Sequence, residues 1–487
     1  MDKPDAEARR EELLSRRSKL SPAQQALLQR RLGGGLKGAP DAAHIERVPR
    51  DGELPLTFRE QHIFEGCLAE SEDGSKLRSN MSRFYRLAGP FDEAAMEQAV
   101  ADLARRHELL RTRFTRAGGQ PSRLIEPSPP SAMTFVGLEH VPQERRLAAA
   151  LEIVSEESER PFSLNGGWLW KVVLVRLAAE DHLLLLIIDH FISDNWSMSL
   201  LVRDLWVFYH ARASGSPAPL AELPVQFADF AHWQRRFLQG AALDRLLSFW
   251  RQQLDGIGAT PEVRLPFELP APRRLPRSPA ATISAVLPPS LGHALDSFAR
   301  AQSATLQMTM FSSLLALLHL YTGRDDFGID MISAKRHRPE VKEVVGLFSD
   351  KEVLRAGVHG GDTFTDLLSR VRDASLAVQE HSDLPNLMFP GEQMREFGGT
   401  FAPIFHFTMQ GWESRQRGGG GPRAGAATPP ALGVTPMGMP SNDKPVITIP
   451  GLSLVVEAGD DGLRLFLSYT IGLYDVEAVG RFLQHYR

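Results

Sequence analysis

The spacing of apolar and polar residues predicts alternating helices and strands in the first half of the chain. Ala94–Arg106 repeats apolar residues at helical intervals, which indicates an amphipathic helix. Trp168–Leu177 and His182–Asp189 are nearly continuous apolar runs joined by a polar turn, which predicts paired strands that are buried on both faces. Ser197–Tyr209 again has helical spacing, so a strand passes through the polar turn at 189–194 into a helix.

The second half has a similar mixture of strands and helices, although the sequence itself does not repeat. Its predicted elements, in chain order, are the strand Thr282–Leu287, the helix Leu306–Tyr321, the strand Phe327–Ser333, the helix Thr363–Gln379, the strands Ile404–Met409, Leu452–Glu457 and Leu463–Tyr469, and the helix Val476–Tyr486. Arg415–Ser441 is rich in glycine and proline and lacks periodicity, which predicts a mobile loop.

Composition divides the chain into three segments. Residues 1–47 predict an N-terminal helical docking or linker segment, because Ser21-Pro22 is a good helix start and a run of glycines ends that helix. The proline-rich stretch at 266–279 then separates an N-terminal lobe at 48–265 from a C-terminal lobe at 266–487. We predict the α/β class, with two mixed lobes and a cleft between them as the natural ligand site.

Charge and cysteine usage exclude several classes of function. The 487 residues include 55 Lys+Arg and 59 Asp+Glu, a net charge of −4, so we expect no nucleic acid partner. Cys67 is the only cysteine, which excludes an internal disulfide and a cysteine-built metal site and suits a reducing cytosol. The longest apolar run, Leu183–Ile188, is too short to span a bilayer. We therefore expect a cytoplasmic monomer that needs no membrane, bound metal or nucleotide.

The densest polar cluster at a strand end is the turn from Asp189 to Ser197. It contains His190 between the carboxylates of Asp189 and Asp194, and a histidine beside carboxylates can act as a general base. A histidine in such a turn can also be purely structural, and a buried acid commonly pairs with an arginine. The pattern alone therefore leaves both a catalytic and a structural role open.

This turn resembles the His-His-x-x-x-Asp-Gly signature of nonribosomal peptide synthetase condensation domains, and is here Asp189-His190-x-x-x-Asp194-Asn195. Further segments resemble the same family, in the family's order, over roughly residues 54–487. They are Leu54–Thr57, Arg106–Phe114, Phe227–Trp233, Arg336–Glu340, Val345–Phe348 and His381–Pro385. On these ordered matches the chain is identified as a member of the condensation domain family.

The resemblance implies a fold and a reaction. The family fold has two chloramphenicol-acetyltransferase-like lobes, arranged as a V-shaped pseudo-dimer around a central tunnel. The family joins an acyl or peptidyl thioester on a donor carrier protein to an aminoacyl group on an acceptor carrier protein, usually as an amide. The carriers supply both phosphopantetheine arms, so no cofactor of the chain's own is implied. An upstream synthetase subunit is a further expected partner, through residues 1–32.

The resemblance also assigns roles to residues. His190 aligns with the functional histidine and is expected to orient the acceptor nucleophile or take its proton. Asp194 is expected to pair with Arg336 and thereby fix the turn. By contrast, we expect His337 to be a solvated surface residue. The remaining expected site residues are the supporting residues Asp189, Asn195 and Ser197 and the tunnel residues Trp196, Ser349 and Asp350.

Departures from the family pattern leave alternatives open. Asp189, Asp194 and Ser197 also fit the Asp-x-x-x-x-Asp-x-x-Ser pattern of heterocyclisation domains. Asn195 replaces a glycine, and asparagine is the least costly substitute if that position has a positive φ. Residues 349–351 are Ser-Asp-Lys where the family has Val-Asn-Thr, which brings two charges toward the expected tunnel. The alternatives are a heterocyclising, ester-forming or dehydrating variant, and a catalytically silent domain that docks carrier proteins.

Overall fold

The computed structural model describes most of the chain from His44 onward. The described residues are 44–70, 80–117, 119–128, 132–256, 265–269, 278–389, 405–410, 432–438, 446–448, 451–459 and 462–487. The helical segment predicted within residues 1–32 lies outside them, as does most of the proline-rich stretch.

Helices and strands alternate along both halves of the described chain. The helices are α1 (Phe58–Glu70), α2 (Glu93–Arg106), α3 (Gln143–Glu159), α4 (Asn195–Ser214), α5 (Phe227–Phe237), α6 (Gly240–Leu254), α7 (Pro289–Ala301), α8 (Leu306–Thr322), α9 (Phe364–Glu380) and α10 (Val476–Tyr486). The strands are β1 (Leu54–Pro55), β2 (Asn80–Ala88), β3 (Thr112–Ala117), β4 (Gln120–Ile125), β5 (Met133–Gly137), β6 (Trp170–Ala178), β7 (Asp181–Asp189), β8 (Ser278–Leu287), β9 (Asp326–Ser333), β10 (Asp350–Gly357), β11 (Phe405–Gln410), β12 (Gly433–Met437), β13 (Val446–Thr448), β14 (Leu452–Gly459) and β15 (Gly462–Thr470). The helices and strands predicted from periodicity are confirmed, with ends that move by a few residues.

These strands form three sheets within the described residues. Strands of the first half form a small sheet in the order β1-β4-β3 and, together with β12 from the second half, a five-stranded sheet in the order β12-β2-β7-β6-β5. The second half contributes a seven-stranded sheet in the order β10-β9-β11-β14-β15-β8-β13. The molecule is therefore mixed α/β, as predicted. The predicted lobe limits stay a prediction, because one continuous apolar core includes residues from both halves.

The central strand β7 is buried on both faces, as its continuous apolar sequence predicts. Leu184, Leu186 and Ile188 contribute to the larger apolar core, while Leu183, Leu185 and Ile187 contribute to a second core on the other face. Successive side chains of a strand point to opposite faces, so a strand between two cores must be apolar at every position. Because both faces of β7 are packed, the position of its last residue, Asp189, is fixed. The polar turn begins there.

One predicted loop is partly wrong. Within Arg415–Ser441, Gly433–Met437 forms β12, which pairs antiparallel with β2 and so joins the sheet of the first half. Its short sequence contains Pro436, and proline is tolerated because β12 lies at the edge of the sheet. Five residues without apolar alternation carry no recognisable strand pattern, since the pairing depends on the edge that β2 offers. Most of the predicted loop lies outside the described residues.

The two halves meet in a close aromatic contact. Phe227 and Phe230 of α5 place their rings 4.8 Å from the ring of Phe348 in the second half. Gly346 lies against the same ring of Phe227, and a Cβ on Gly346 would come within 2.1 Å of it. Only a residue without a side chain fits there, so this glycine permits the close approach of the halves.

No single described helix is long and apolar enough to cross a bilayer. The bent pair of Pro289–Ala301 and Leu306–Thr322, which meet at 100°, passes the same test by length and composition. In this structure Leu306–Thr322 packs much of its apolar surface into the larger core.

The contact at Gly346 can be tested by adding one methyl group. Because overpacking a tight contact costs typically 1–3 kcal/mol, we expect Gly346→Ala to lower the free energy of unfolding by about that amount in urea denaturation. Gly360→Ala is the matched control, since a methyl there meets nothing within 4 Å, and should change stability by about 0.5 kcal/mol or less. In a Phe227→Leu background the cost of Gly346→Ala should shrink. Equal costs at Gly346 and Gly360 would contradict the contact.

Candidate functional site

The polar turn after β7 is built on a buried carboxylate. Asp189 ends β7 and is buried, and its Oδ1 accepts a hydrogen bond of 2.8 Å from the backbone N–H of Phe191. The Phe191 ring packs 4.7 Å from the ring of Phe114 and 6.4 Å from that of Phe64. The side chain of Asp189 therefore shapes the turn, and the aromatic ring fixes the turn to the core.

His190 lies half-buried at the start of this turn. Its Nδ1 lies 2.7 Å from the backbone oxygen of Ser193. A carbonyl oxygen can only accept a hydrogen bond, so Nδ1 must carry the proton and donate it. In the neutral ring Nε2 is then left without a proton, with a lone pair that can accept one. The turn thus fixes both the tautomer and the direction of the imidazole.

Asp194 ends the turn and caps α4. Its Oδ1 accepts a hydrogen bond of 2.7 Å from the backbone N–H of Ser197, and its Oδ2 accepts bonds of 3.1 Å from the N–H groups of Phe348 and Ser349. Burial by itself raises the pKa of the Asp194 carboxyl, but Arg336 and these hydrogen bonds outweigh it and leave the pKa below its ordinary value. The carboxylate is therefore charged and joins the turn to the second half.

Arg336 supplies the opposite charge from the second half, as the resemblance implied. Its Nη2 lies 3.2 Å from Asp194 Oδ1 and donates a 2.7 Å hydrogen bond to Ser197 Oγ. Its Nη1 donates to the backbone oxygens of Val341 and Val344 at 2.8 and 2.5 Å. The guanidinium also lies 4.2 Å from the centre of the Phe348 ring. We call Asp194, Ser197, Arg336 and the main chain at 346–349 the junction.

Ser197 completes the junction through its hydroxyl group. Ser197 Oγ donates to the backbone oxygen of Gly346 at 2.8 Å and accepts from the N–H of Gly346 at 3.0 Å. With the bond from Arg336, the hydroxyl has one acceptor and two donors, which uses its full capacity. This serine therefore has a packing role that does not require heterocyclisation chemistry.

Asn195 and Trp196 begin α4 on its outer side. Asn195 is exposed, and it is not among the described non-glycine residues with positive φ. The condition of a positive φ, under which asparagine would be the least costly substitute for glycine, is therefore not met, because Asn195 is the first residue of a regular helix. Trp196 is partly buried, and its Nε1 donates a 2.9 Å hydrogen bond to the backbone oxygen of Lys342.

Ser349 is the last residue of the junction main chain, and Asp350 follows it. The backbone oxygen of Ser349 accepts from Arg59, and the buried carboxylate of Asp350 binds Arg59 at 2.6 Å. Asp350 also accepts a 2.9 Å bond from the N–H of Asn386 and lies 3.5 Å from Lys335 Nζ. Asp350 lines a cavity at the contact of the two halves. Its charge is already paired with those of Arg59 and Lys335. The tunnel role of Trp196, Ser349 and Asp350 stays a prediction.

His337 is not the free surface residue that the sequence predicted. Its Nε2 lies 2.9 Å from Asp383 Oδ1, and Arg338 binds the other oxygen of Asp383 at 3.2 Å. Burial raises the pKa of Asp383, but His337 and Arg338 outweigh it and hold the pKa well below its usual range. Three consecutive basic residues suggest a solvent-exposed segment. Here Asp383, which is distant in the sequence, binds both His337 and Arg338.

Glu352 is a second buried acid near the junction. Its carboxylate lies 3.8 Å from Lys335 Nζ. Burial raises its pKa to about 7, and the charge of Lys335 offsets only part of this effect. Within the described residues no group of three or more His, Cys, Asp and Glu side chains is placed to hold a metal ion.

The main feature that motif reasoning missed is the packing function of the segment at 345–348. The family pattern draws attention to Gly346 and Phe348, but only the structure places Gly346 against Phe227 and Phe348 beneath Arg336. Glycine at a fixed motif position is a signal for close approach, although it does not name the partner.

The junction predicts a large cost for removing one of its charges. We expect Asp194→Ala to reduce soluble yield and the free energy of unfolding by about 3–5 kcal/mol, because it leaves Arg336 buried and uncompensated. Asp181→Ala is the matched control, since Asp181 pairs with Arg86 at 2.7 Å with both side chains partly exposed, and should cost about 1 kcal/mol or less. Both values are measured by denaturant titration. A normally stable Asp194→Ala protein would overturn the junction.

Glu352 predicts a pH dependence of stability. An acid whose pKa is raised on folding stabilises the folded state below its unfolded pKa of about 4.5 and loses that contribution as the pH rises to about 7. We therefore expect the free energy of unfolding to fall between pH 4.5 and 7 by up to about 3 kcal/mol from this group. In Glu352→Gln this fall should be absent, as measured by denaturant titration at several pH values. Identical pH profiles for the two proteins would contradict the assignment.

Comparisons with known proteins identify the family of this chain. The family model "Condensation domain" matches residues 67–487. Phosphinothricin tripeptide synthetase PhsC of Streptomyces viridochromogenes is 37% identical over 402 residues, which are 82% of this chain and 36% of that protein. One of the linear gramicidin synthase proteins of Brevibacillus parabrevis is 31% identical over 441 residues, which are 90% of this chain and 6% of that protein. The chain thus spans only 36% of the length of the first relative and 6% of the length of the second.

Solved structures from antibiotic biosynthesis superpose on most of this chain. The X-domain from teicoplanin biosynthesis superposes with a TM-score of 0.70 at 25% identity, covering 91% of this chain and 96% of that one. The first condensation domain of the calcium-dependent antibiotic synthetase superposes with a TM-score of 0.65 at 18% identity, covering 90% and 95%. Family match, relatives and fold agree: the chain belongs to the condensation domain family of nonribosomal peptide synthetases and has that family's chloramphenicol-acetyltransferase-like fold.

Proposed function

We propose that this chain joins two carrier-bound substrates by forming an amide. The donor is an acyl or peptidyl thioester, and the acceptor is an aminoacyl thioester on a second carrier protein. The observation that supports this most is the fixed tautomer of His190. Its Nδ1 is committed to the oxygen of Ser193, so its Nε2 is available to the acceptor amine.

The chemistry is a transfer from sulfur to nitrogen. The neutral amine of the acceptor attacks the donor carbonyl, the C–N bond forms, and the C–S bond breaks. His190 Nε2 accepts a hydrogen bond from the amine, takes the proton that the amine loses, and returns it to the departing thiolate. Atoms and charges balance without any further reactant, and the products are an amide on the acceptor carrier and a free thiol on the donor carrier.

The junction supports this reaction through positioning. A thioester is already activated, so bringing two tethered groups into contact supplies much of the acceleration. Asp194 and Arg336 fix the histidine turn of one half against the other half. A substrate arm bound by either half would therefore meet His190 in one relative position.

The proposed partners follow from the same reaction. Donor and acceptor carrier proteins supply the phosphopantetheine arms, and the chain needs no cofactor of its own. Residues 1–32 are proposed to dock an upstream synthetase subunit, and the reaction is proposed to occur in the cytoplasm. The curated relatives are much longer than this chain, so the carriers belong to the remainder of such an assembly or to its neighbours.

A second candidate is a domain that docks partner proteins without forming a bond. The X-domain from teicoplanin biosynthesis, which is similar to this chain, has been solved in a complex with OxyB. Asp189 and Asn195 stand where the family signature has histidine and glycine, which is the specific observation that favours loss of catalysis. Heterocyclisation, ester formation and dehydration remain alternatives that differ in the mass or linkage of the product.

Mass spectrometry of the carrier-bound products tests the proposal. With donor-loaded and acceptor-loaded carriers we expect the joined acyl chain on the acceptor carrier, and a decrease of roughly 100-fold or more in His190→Ala, typical of a lost general base. His210→Ala is the matched control, because His210 is exposed on α4, and should react at the normal rate. An additional loss of water would instead indicate ring closure or dehydration. Binding of both carriers without transfer would support the docking domain and contradict catalysis.

A further inference from the structure

One face of the seven-stranded sheet packs against helices α8 and α10, and we call the opposite face the polar face. Phe405 and Phe407 of β11 face the helices, with Phe407 5.6 Å from Phe311 of α8 and Phe405 5.9 Å from Phe482 of α10. His406 lies between them in sequence, so its side chain points to the opposite face. That opposite face is the polar face.

Three ionisable side chains come together on the polar face. Asp330 of β9 is the direct partner of His406 across the parallel pair β9–β11 and of Val353 across the antiparallel pair β9–β10. Lys351 is two residues from Val353 and shares its face. Asp330 Oδ2 lies 3.3 Å from His406 Nδ1 and 3.5 Å from Lys351 Nζ. We call Asp330, Lys351 and His406 the polar-face cluster.

The carboxylate of Asp330 is buried and the side chains of Lys351 and His406 are partly buried, yet polar atoms of all three lack hydrogen bonds. The side chains of Asp330, Lys351 and His406 are 3%, 23% and 18% exposed. Asp330 Oδ2, Lys351 Nζ and His406 Nε2 are all inaccessible to water and have no hydrogen-bond partner within the described part of the chain. Buried polar atoms nearly always have hydrogen bonds in folded proteins. Asp330 Oδ2 is paired by charge with both cations, so the unused donor capacity of Lys351 Nζ and His406 Nε2 is what indicates a group that binds there.

The cluster lies close to the histidine turn. Ser349 donates its backbone N–H to Asp194 at 3.1 Å, and Lys351 follows only two residues later, a span of at most about 7 Å. Arg355, on the same face of β10, donates hydrogen bonds to the backbone oxygens of Gln253 and Asp255. The polar face is therefore turned toward the first half, which carries His190.

We propose that Asp330, Lys351 and His406 form a specificity subsite for a carboxylate on one of the two carrier-bound substrates. Lys351 Nζ and, in the imidazolium form of the ring, His406 Nε2 are nitrogen donors, and a carboxylate offers two acceptor oxygens. Asp330 lies beside both cations and fixes the direction of the imidazole through Nδ1. With the imidazolium form the three side chains carry two positive charges and one negative charge, and a bound carboxylate makes the site neutral.

An apolar neighbour defines the rest of the substrate group. Ile332 lies directly opposite Lys351 in the β9–β10 pair, on the same face, and is 51% exposed. A carboxylate on a short aliphatic chain can bury its methylenes on Ile332 while its charge reaches the cluster. The substrate class is therefore an acidic aliphatic group, such as the side chain of an acidic amino acid or a dicarboxylic acyl chain.

This inference rests on the proposed function for its substrate, so its test reads binding without catalysis. The probes are stable pantetheine conjugates in which an amide replaces the thioester. One pair carries glutamate or glutamine with a free amine, as an acceptor would. The other pair carries a succinyl or a succinamoyl group, as a donor would. The members of each pair differ only in carboxylate against neutral amide.

Isothermal titration calorimetry of the full chain measures the four affinities. We expect the carboxylate member of one pair to bind at least 10-fold more tightly than its amide, and that pair identifies the substrate that carries the acid. Lys351→Met should bring the ratio to about 1, and Lys351→Arg should keep most of it. Arg464→Met is the control, since it removes an exposed cation from another strand of the sheet and should leave the ratio unchanged.

Several outcomes would overturn the subsite. They are equal affinities within both pairs, an unchanged ratio in Lys351→Met, and no binding of any conjugate. Melting temperatures of the variants establish that they are folded, and His406→Gln gives an independent loss of the ratio if Lys351→Met is unstable. A chain that discriminates the conjugates but transfers no acyl group would retain the subsite and lose only the proposed reaction. A chain that transfers acyl groups but does not discriminate would lose only the subsite.

Discussion

The buried pair of Asp194 and Arg336 is the interaction on which the rest of the structure depends. It lies where a strand, a turn and a helix of the first half meet the main chain of the second half. A buried ion pair needs hydrogen bonds to its remaining donors and acceptors, and Ser197, Val341, Val344, Phe348 and Ser349 supply most of them here. The pair therefore sets the relative position of the two halves as well as the shape of the turn.

His190 is not part of the ion pair, but the turn that the pair fixes sets the position of its imidazole. The turn begins with Asp189, whose side chain accepts from Phe191, and ends with Asp194, so both ends of the turn are fixed. Between them the oxygen of Ser193 is the only atom needed to select one tautomer of His190. The carboxylates of Asp189 and Asp194 are thus structural, and the rigid turn that they hold sets the direction of the imidazole to which we propose a catalytic role.

The sequence predicted the elements well because their signals are local. The continuous apolar run of β7 and the helical spacing of α4 are patterns within a short stretch of sequence, and the resemblance supplied the pairing of Asp194 with Arg336. Contacts between distant segments were not predictable from one sequence. The pairing of β12 with β2, the fit of Gly346 against Phe227, and the meeting of Asp330 with His406 each join segments that lie far apart in the chain, and no local pattern specifies such a partner.

The tautomer of His190 is the most direct test of the account, because the proposed amide chemistry needs an unprotonated Nε2 facing the acceptor. Nitrogen NMR of the full chain with ¹⁵N-labelled histidine, compared with the spectrum of His190→Ala, isolates the two ring nitrogens of this residue. The account predicts that the neutral ring carries its proton on Nδ1 and leaves Nε2 free. A neutral ring protonated on Nε2 would contradict it, since that nitrogen could then neither orient nor deprotonate the acceptor amine.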